Sequence, residues 1–251
     1  MGPAVHKRAP FRLPLAIELT ASLLAQRRFS EVGRGIASRV YKQSRSFGMR
    51  RDLATPFEPP QARIPIEIRQ LRAEDIPVLF EEKVPVREAA DMITRRRHLA
   101  AGIPQCYVAI DARNGTPCAF QWLMGPEQNA AIAELFGPGW FPPLRSDEAL
   151  LENAYTTIHY RGYGIGTALA ARVSAYAADL GCRYVYAFIA ANNAPSLHAC
   201  SKAGFSKYLV RDELELMTIP VRRVFSIYES PAGAAVRTEP SLQQSETGRP
   251  S

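Results

Sequence analysis

The sequence predicts an α/β fold of about seven strands with flanking helices, and three features of the chain beyond Ile64 point to it. Short β-type runs alternate with helix-length stretches. An Asn114-Gly115 pair sits between two apolar runs, which marks a hairpin. Three glycines in five residues, Gly162, Gly164 and Gly166, stand between a strand-like and a helix-like segment.

The elements follow in order. Ile66-Glu67-Ile68-Arg69 alternates as a first strand. Ala73-Glu74-Asp75 opens a short helix, and a longer one runs from about Val86 to Ala101 and stops at Gly102. Cys106 to Ile110 and Cys118 to Met124 are strands joined by Asp111-Ala112-Arg113-Asn114-Gly115. Residues 125–146 read as an insertion, with an irregular loop from Gly137 to Pro143. A strand from about Glu148 to Ile158 leads into the glycine turn, and a helix from about Ile165 to Leu180 leaves it. Tyr184 to Ile189 is a near-continuous apolar run, as expected of a strand covered on both faces. A helix from about Ala194 to Lys202 ends before Gly204, and strands near Tyr208–Met217 and Arg222–Ile227 complete the unit. The domain is thus expected over 64–229, after a basic extension of residues 1–60 and before a disordered tail of residues 230–251 rich in Ser, Pro, Gly and Gln.

At 251 residues with 47% hydrophobic content, the chain is long enough for one well-buried domain plus extensions. It contains no run of 18 apolar residues of the kind that spans a bilayer. Cys106, Cys118, Cys182 and Cys200 show no C-x-x-C spacing and only four histidines accompany them, so no metal site is expected and the cysteines read as buried free thiols. A reducing, cytoplasmic location fits this best.

The net charge of +7 is local. Residues 1–60 carry 11 Lys/Arg against 4 Asp/Glu, while residues 61–251 carry 20 of each. Helical stretches are expected from about Leu15 to Phe47, with Phe29, Val32, Ile36 and Val40 on one face and Arg28, Arg39, Lys42 and Arg45 around it. Such a helix could lie on an anionic membrane surface, giving a peripheral protein, or pack on the following domain, the blander reading. Nucleic acid is a poor partner for it, because no stacking aromatics interleave with the basic residues. Thr55 to Pro60 reads as an extended linker.

The stretch Tyr160-Arg161-Gly162-Tyr163-Gly164-Ile165-Gly166-Thr167 carries the chemistry. Glycine lets a backbone turn sharply and approach a ligand without a Cβ in the way. A helix start presents unpaired N–H groups and a partial positive charge, so the turn can cradle phosphate, worth up to about 2 kcal/mol per favourable contact. A tight structural turn would use the same glycines. Other phosphate motifs are excluded: no Gly-Lys-Ser/Thr follows, Thr167 holds the place of the third dinucleotide-fold glycine, and no kinase-type lysine strand lies downstream.

The segment resembles the GNAT acetyltransferase family, whose CoA-binding pattern Q/R-x-x-G-x-G/A is met by Arg161, Gly164 and Gly166. Asn193 and Ser196, about 27 residues later, and then Gly204-Phe205 repeat a second family pattern at the expected spacing. The resemblance covers about two-thirds of the chain. It implies an open mixed central sheet and acetyl-CoA as co-substrate, bound where two central strands splay apart. Arg161, Gly162 and the backbone amides of Gly164, Ile165, Gly166 and Thr167 would hold the pyrophosphate, and Asn193 the pantetheine arm. A small-molecule or protein amine would attack the thioester directly through a tetrahedral intermediate, needing a base and an acid.

Glu152 stands on the strand where family members often place the base, and a carboxylate in an apolar strand has its pKa raised, as a base near neutrality requires. An exposed or arginine-paired carboxylate is the plainer reading. Tyr155 and His159 are nearby without such a match. At the position of the family's usual acid tyrosine this chain has Cys200, a shorter group, and Tyr208 or Tyr186 could take its place. A non-catalytic acyl-CoA-binding regulatory or scaffold module is therefore the alternative. The insertion with Trp140 and Phe141 is expected to shape the acceptor pocket; acceptor identity and oligomeric state have no signature in the sequence.

Overall fold

A computed structural model describes residues 41–81, 83–216 and 219–229. Among these, the strands form one eight-stranded sheet in the order β2-β3-β4-β5-β6-β1-β7-β8. The strands are β1 (Tyr41–Asp52), β2 (Ile66–Gln70), β3 (Cys106–Asp111), β4 (Thr116–Met124), β5 (Glu148–Thr156), β6 (Tyr184–Ala190), β7 (Ser206–Leu216) and β8 (Ile219–Ile227). The helices are α1 (Ile76–Phe80), α2 (Val86–Ala100), α3 (Asn129–Phe136), α4 (Ile165–Tyr176) and α5 (Ala194–Lys202). Neighbouring strands are antiparallel except β5 and β6, which run parallel. The expected α/β architecture and mixed open sheet are therefore present.

The sheet buries both faces. On one, α4 and α5 supply Ile165, Leu169 and Cys200, and Ala203 follows α5, in a core with Leu123, Leu151 and Val185. On the other, α1 and α2 supply Leu79, Phe80 and Met92 to a core with Phe120, Trp122, Leu150 and Tyr186. Alternation along β5 separates the two: Ala149 and Leu151 point to the first face and Leu150 to the second. The Asn114-Gly115 turn joins β3 to β4, with Gly115 at φ +75°. Asp111, fully buried at its base, accepts hydrogen bonds from Arg113 and from the Tyr160 hydroxyl, which ties the hairpin to the turn after β5.

Two expectations need correction. Residues 41–47 are not helical, and residues 41–52 of the expected extension are part of the sheet. Tyr41–Asp52 is a central strand that pairs antiparallel with β6 on one side and β7 on the other. Its local sequence is polar and weakly patterned, so pairing on both edges, rather than propensity, decides its state. Lys42 and Arg45, read as part of a basic surface, pair with Glu215 and Asp212 on β7. Arg51 is buried against α4, where it donates to Ala171 O and Ser174 Oγ. The remainder of the expected amphipathic helix, Leu15 to Val40, and the expected tail, residues 230–251, lie outside the described residues.

The insertion is also more ordered than a loop. Pro126–Gln128 forms a 3-10 turn into α3, and the Asn129 side chain both donates to Leu144 O and accepts from Leu144 N, closing the loop on itself. Among the described residues no helix is long and apolar enough to cross a membrane, and no cluster of metal-ligating side chains occurs.

Candidate active site

Parallel pairing of β5 with β6 covers only Glu148–Tyr184, Ala149–Val185 and Leu150–Tyr186. Beyond these, β5 runs on to Thr156 bonded to β4 alone, and β6 runs on to Ala190 bonded to β1. The two strands therefore part in the middle of the sheet. The register of β5 against β4 shifts between Phe120 and Trp122, and Asn153, just past the last residue paired before the shift, has φ +52°. Asparagine tolerates this left-handed conformation better than most residues. Its side-chain nitrogen lies 2.7 and 2.9 Å from the two ring nitrogens of His98, which is wholly buried on α2 between Trp122 and Phe136. Burial lowers the His98 pKa to about 4, so the ring is neutral at pH 7.

Above the parting strands, a 3-10 turn at Ile158–Tyr160 leads to Gly162 (φ +87°) and Gly164 (φ +74°), the N-cap of α4. Both dihedrals suit glycine and strain other residues. The first turn of α4, with the amides of Ile165, Gly166 and Thr167, has no carbonyl partners within its own helix. A Cβ on Gly166 would lie 3.2 Å from Thr156 Oγ1, so the floor of this turn is filled by a side chain. Ile165 points into the core, which fixes the helix start and leaves its contribution to the backbone. Arg63 N donates to Tyr163 O, bracing the turn from the segment that leads into β2.

Glu152 lies two residues beyond the last β5–β6 pair and opposite Trp122. It is half-buried in area, yet protein encloses its carboxyl closely enough that burial raises its pKa to about 7. The Asn153 backbone N–H, donating to Glu152 Oε2, and the charges of Arg211 and Arg95 oppose that rise.

Residues 68–205, more than half of the 251, match the model of the acetyltransferase (GNAT) family. The chain belongs to the GNAT acetyltransferase family. Solved structures share the fold at low identity. A glucosamine N-acetyltransferase region in a fungal multi-domain beta-N-acetylglucosaminidase is 17% identical with a TM-score of 0.50, over 76% of this chain and 22% of that one. A Drosophila protein is 20% identical (TM-score 0.47; 78% of this chain, 58% of that one), and an N-acetyltransferase from Sphaerobacter thermophilus is 15% identical (0.42; 74% and 55%). The chain thus spans little more than half the length of these proteins at most. Among curated proteins none matches.

Within this GNAT domain the residues singled out from sequence occupy distinct places. Arg161 stands beside the cradle, but Glu88 of α2 holds its guanidinium through Nη1 and Nη2, and its Nε donates to Thr156 O. Asn193 caps α5, its Oδ1 accepting from Ser196 N. Cys200 is on the α5 face that packs into the core, and burial pushes its pKa to about 12. His159 is exposed. Tyr155 is buried, with the guanidinium groups of Arg95 and Arg161 at 4.6 and 5.5 Å from its ring.

Sequence reasoning missed Arg95, Arg211 and the His98–Asn153 pair. Arg95 is buried with its Nε and Nη1 unpartnered, and Arg211 donates to Trp140 O and Ser46 Oγ. A signal existed for the α2 residues: Met92, Arg95, His98 and Leu99 fall on one helical face, so polar side chains stand where the period calls for apolar ones. Arg211 had no such signal, because its partners come from β1 and the insertion.

Proposed function

We propose that this GNAT domain moves the acetyl group of acetyl-CoA to a primary amine, with Glu152 as the base. The observation that carries this reading is a carboxyl with a pKa of about 7 placed where β5 leaves β6, on the strand that ends beneath the helix-start cradle. The cradle supports CoA binding by its chemistry: left-handed glycines, the unpartnered amides of a helix start and a floor that fits closely around Gly166.

In this mechanism the ammonium form of the acceptor loses a proton to the Glu152 carboxylate. The amine nitrogen then attacks the thioester carbonyl, a C–N bond forms, and the C–S bond breaks as the tetrahedral intermediate collapses. The second amine proton goes to solvent, and the thiolate is released as the CoA thiol on protonation. A thiol with a reference pKa near 8.5 leaves readily as thiolate, so water suffices to protonate it. Cys200, held near 12 inside the core, and Tyr186, pushed to about 12 while its hydroxyl donates to Glu148, are poor donors to such a group.

Thiol release from acetyl-CoA, followed in the presence of a pool of primary amines and paired with calorimetric titration of acetyl-CoA, tests the reading. Amine-dependent release is expected. Acetyl-CoA binding without release by any amine would reduce the protein to a binding module, and no binding would remove the CoA site.

A further inference from the structure

A cavity of about 290 Å³ opens on the face of the sheet opposite α4 and α5. Its wall holds the rings of Phe141, Tyr186, Phe188, Tyr208 and Phe225, with Leu150 and Leu209. Leu150 and Tyr186 are the last residues paired between β5 and β6, so the cavity begins at the apex where the strands part. Along β5 the next side chain on that face after Leu150 is Glu152, about 7 Å further on. Arg211 bridges the two places: its guanidinium lies 5.7 Å from the rings of Phe141 and Phe188, and its charge acts on Glu152.

The chemistry of the wall selects the occupant. Glu148, the single carboxylate in it, already accepts hydrogen bonds from Arg145 N, Arg145 Nε and the Tyr186 hydroxyl. Arg145 is paired with that carboxylate, and the rest of the wall is the five rings with leucine and proline side chains. Several rings already meet at aromatic pairing distances: Phe141–Phe188 at 5.0 Å, Tyr186–Tyr208 at 6.0 Å and Phe188–Phe225 at 6.2 Å, the last pair edge to face. A further ring would extend this set, since edge-to-face and offset contacts add to the gain from burial. A dry apolar cavity of about 150 Å³ accepts benzene, so this one has room for a ring and a short tether.

We infer that this cavity takes the aromatic ring of the acceptor, making the substrate an arylalkylamine whose nitrogen reaches Glu152 on a tether of about two carbons. The inference rests on the acetyl-transfer reading above and adds to it the acceptor class and the residues that select it. The reaction is unchanged: acetyl passes from sulfur to the amine nitrogen, and the ring takes no part in bond making.

The test compares 2-phenylethylamine with ethylamine, which differ only by the ring, at saturating acetyl-CoA. The aromatic amine should show a kcat/KM higher by roughly 10- to 100-fold, the range that burying one ring supplies. Leu209→Trp, which fills the cavity, should bring the two amines close to parity while acetyl-CoA affinity stays unchanged. Phe225→Ala, from the edge strand β8, should shrink the advantage by a smaller factor and serves if Leu209→Trp does not fold. Equal kcat/KM for the two amines in the wild type overturns the inference and leaves acetyl transfer standing. So does a preference for octanoyl-CoA over acetyl-CoA that Leu209→Trp abolishes, which would give the cavity to the acyl chain. If no amine turns over, saturation-transfer NMR of 2-phenylethylamine with CoA present decides. A signal lost in Leu209→Trp upholds the cavity assignment, and no signal in the wild type overturns it. Failure to bind acetyl-CoA would instead strike the transfer reading.

Discussion

The guanidinium of Arg161 at the cradle and the carboxylate of Glu88 on α2 face each other as a two-point ion pair. A pyrophosphate arriving at the helix start must share Arg161 with that carboxylate or displace it. Glu88→Gln should therefore tighten acetyl-CoA binding by up to about fivefold, the range of a partly exposed ion pair. Arg161→Ala should weaken binding and flatten its salt dependence. Calorimetric titration at two ionic strengths measures both, and a weaker Glu88→Gln complex would mean the pair holds the cradle in shape.

Gly166 tests the floor of the cradle. A Cβ there meets Thr156 Oγ1 at 3.2 Å, so Gly166→Val crowds Thr156 and puts its two methyl groups at the helix start. Acetyl-CoA affinity should fall roughly 10- to 30-fold, equivalent to one favourable anion contact. Unchanged affinity in folded Gly166→Val would remove the site from this turn.

Deleting residues 1–52 removes β1 from between β6 and β7. Both strands then lose a paired neighbour, and the charges of Asp212 and Glu215 lose Arg45 and Lys42. The truncated chain should show no cooperative melting by circular dichroism. A cooperative transition would mean that β7 can close directly onto β6.

That strand also shows how far the sequence could be read. From Ile64 onwards, the insertion apart, local patterning agrees with tertiary role, so the hairpin at Gly115, the apolar strand from Tyr184 to Ile189 and the glycine turn were all legible. Tyr41–Asp52 was not, because its state depends on partners more than 130 residues away, and its arginines imitate a basic surface until β7 and α4 are placed beside them. The site divides in the same way. Glu152 and the cradle are local motifs, whereas Arg211 and the aromatic cavity arise only when β5, β6, β7, β8 and the insertion converge. Cys200 was legible as a departure from its family, but its direction into the core follows from how α5 packs.

Cys200→Ala should leave turnover within about twofold of wild type, since a thiol held near 12 in the core is a weak proton donor. The cost should be in stability, on the order of 1 kcal/mol or about 2–4 °C in Tm. Cys200→Tyr should overpack the same site and lower Tm further. A rate loss of 10-fold or more with unchanged Tm would restore the thiol to the mechanism.

Glu152→Gln separates base catalysis from stability through pH. With its pKa near 7, the wild-type carboxyl is ionised, and competent as a base, only above neutrality. The acidic limb of kcat/KM should therefore bend near pH 7, and in Glu152→Gln it should flatten while turnover falls and acetyl-CoA affinity is kept. Stability responds with the opposite sign to a neighbouring group. Between about 4.5 and 7 the folded state holds a proton on Glu152 that the unfolded state has released, so this group makes stability fall as pH rises. His98, lowered from 6.5 to about 4, does the reverse: below 6.5 the unfolded state takes up a proton that the folded state refuses until about 4, so its contribution is full above 6.5 and is lost as pH falls. The two slopes oppose one another in the wild type. Removing the carboxylate should expose the histidine slope, so Glu152→Gln should gain Tm from pH 4 to 6.5 more steeply than wild type. Parallel Tm curves would show that Glu152 titrates at its ordinary value, and the base assignment would fall with them.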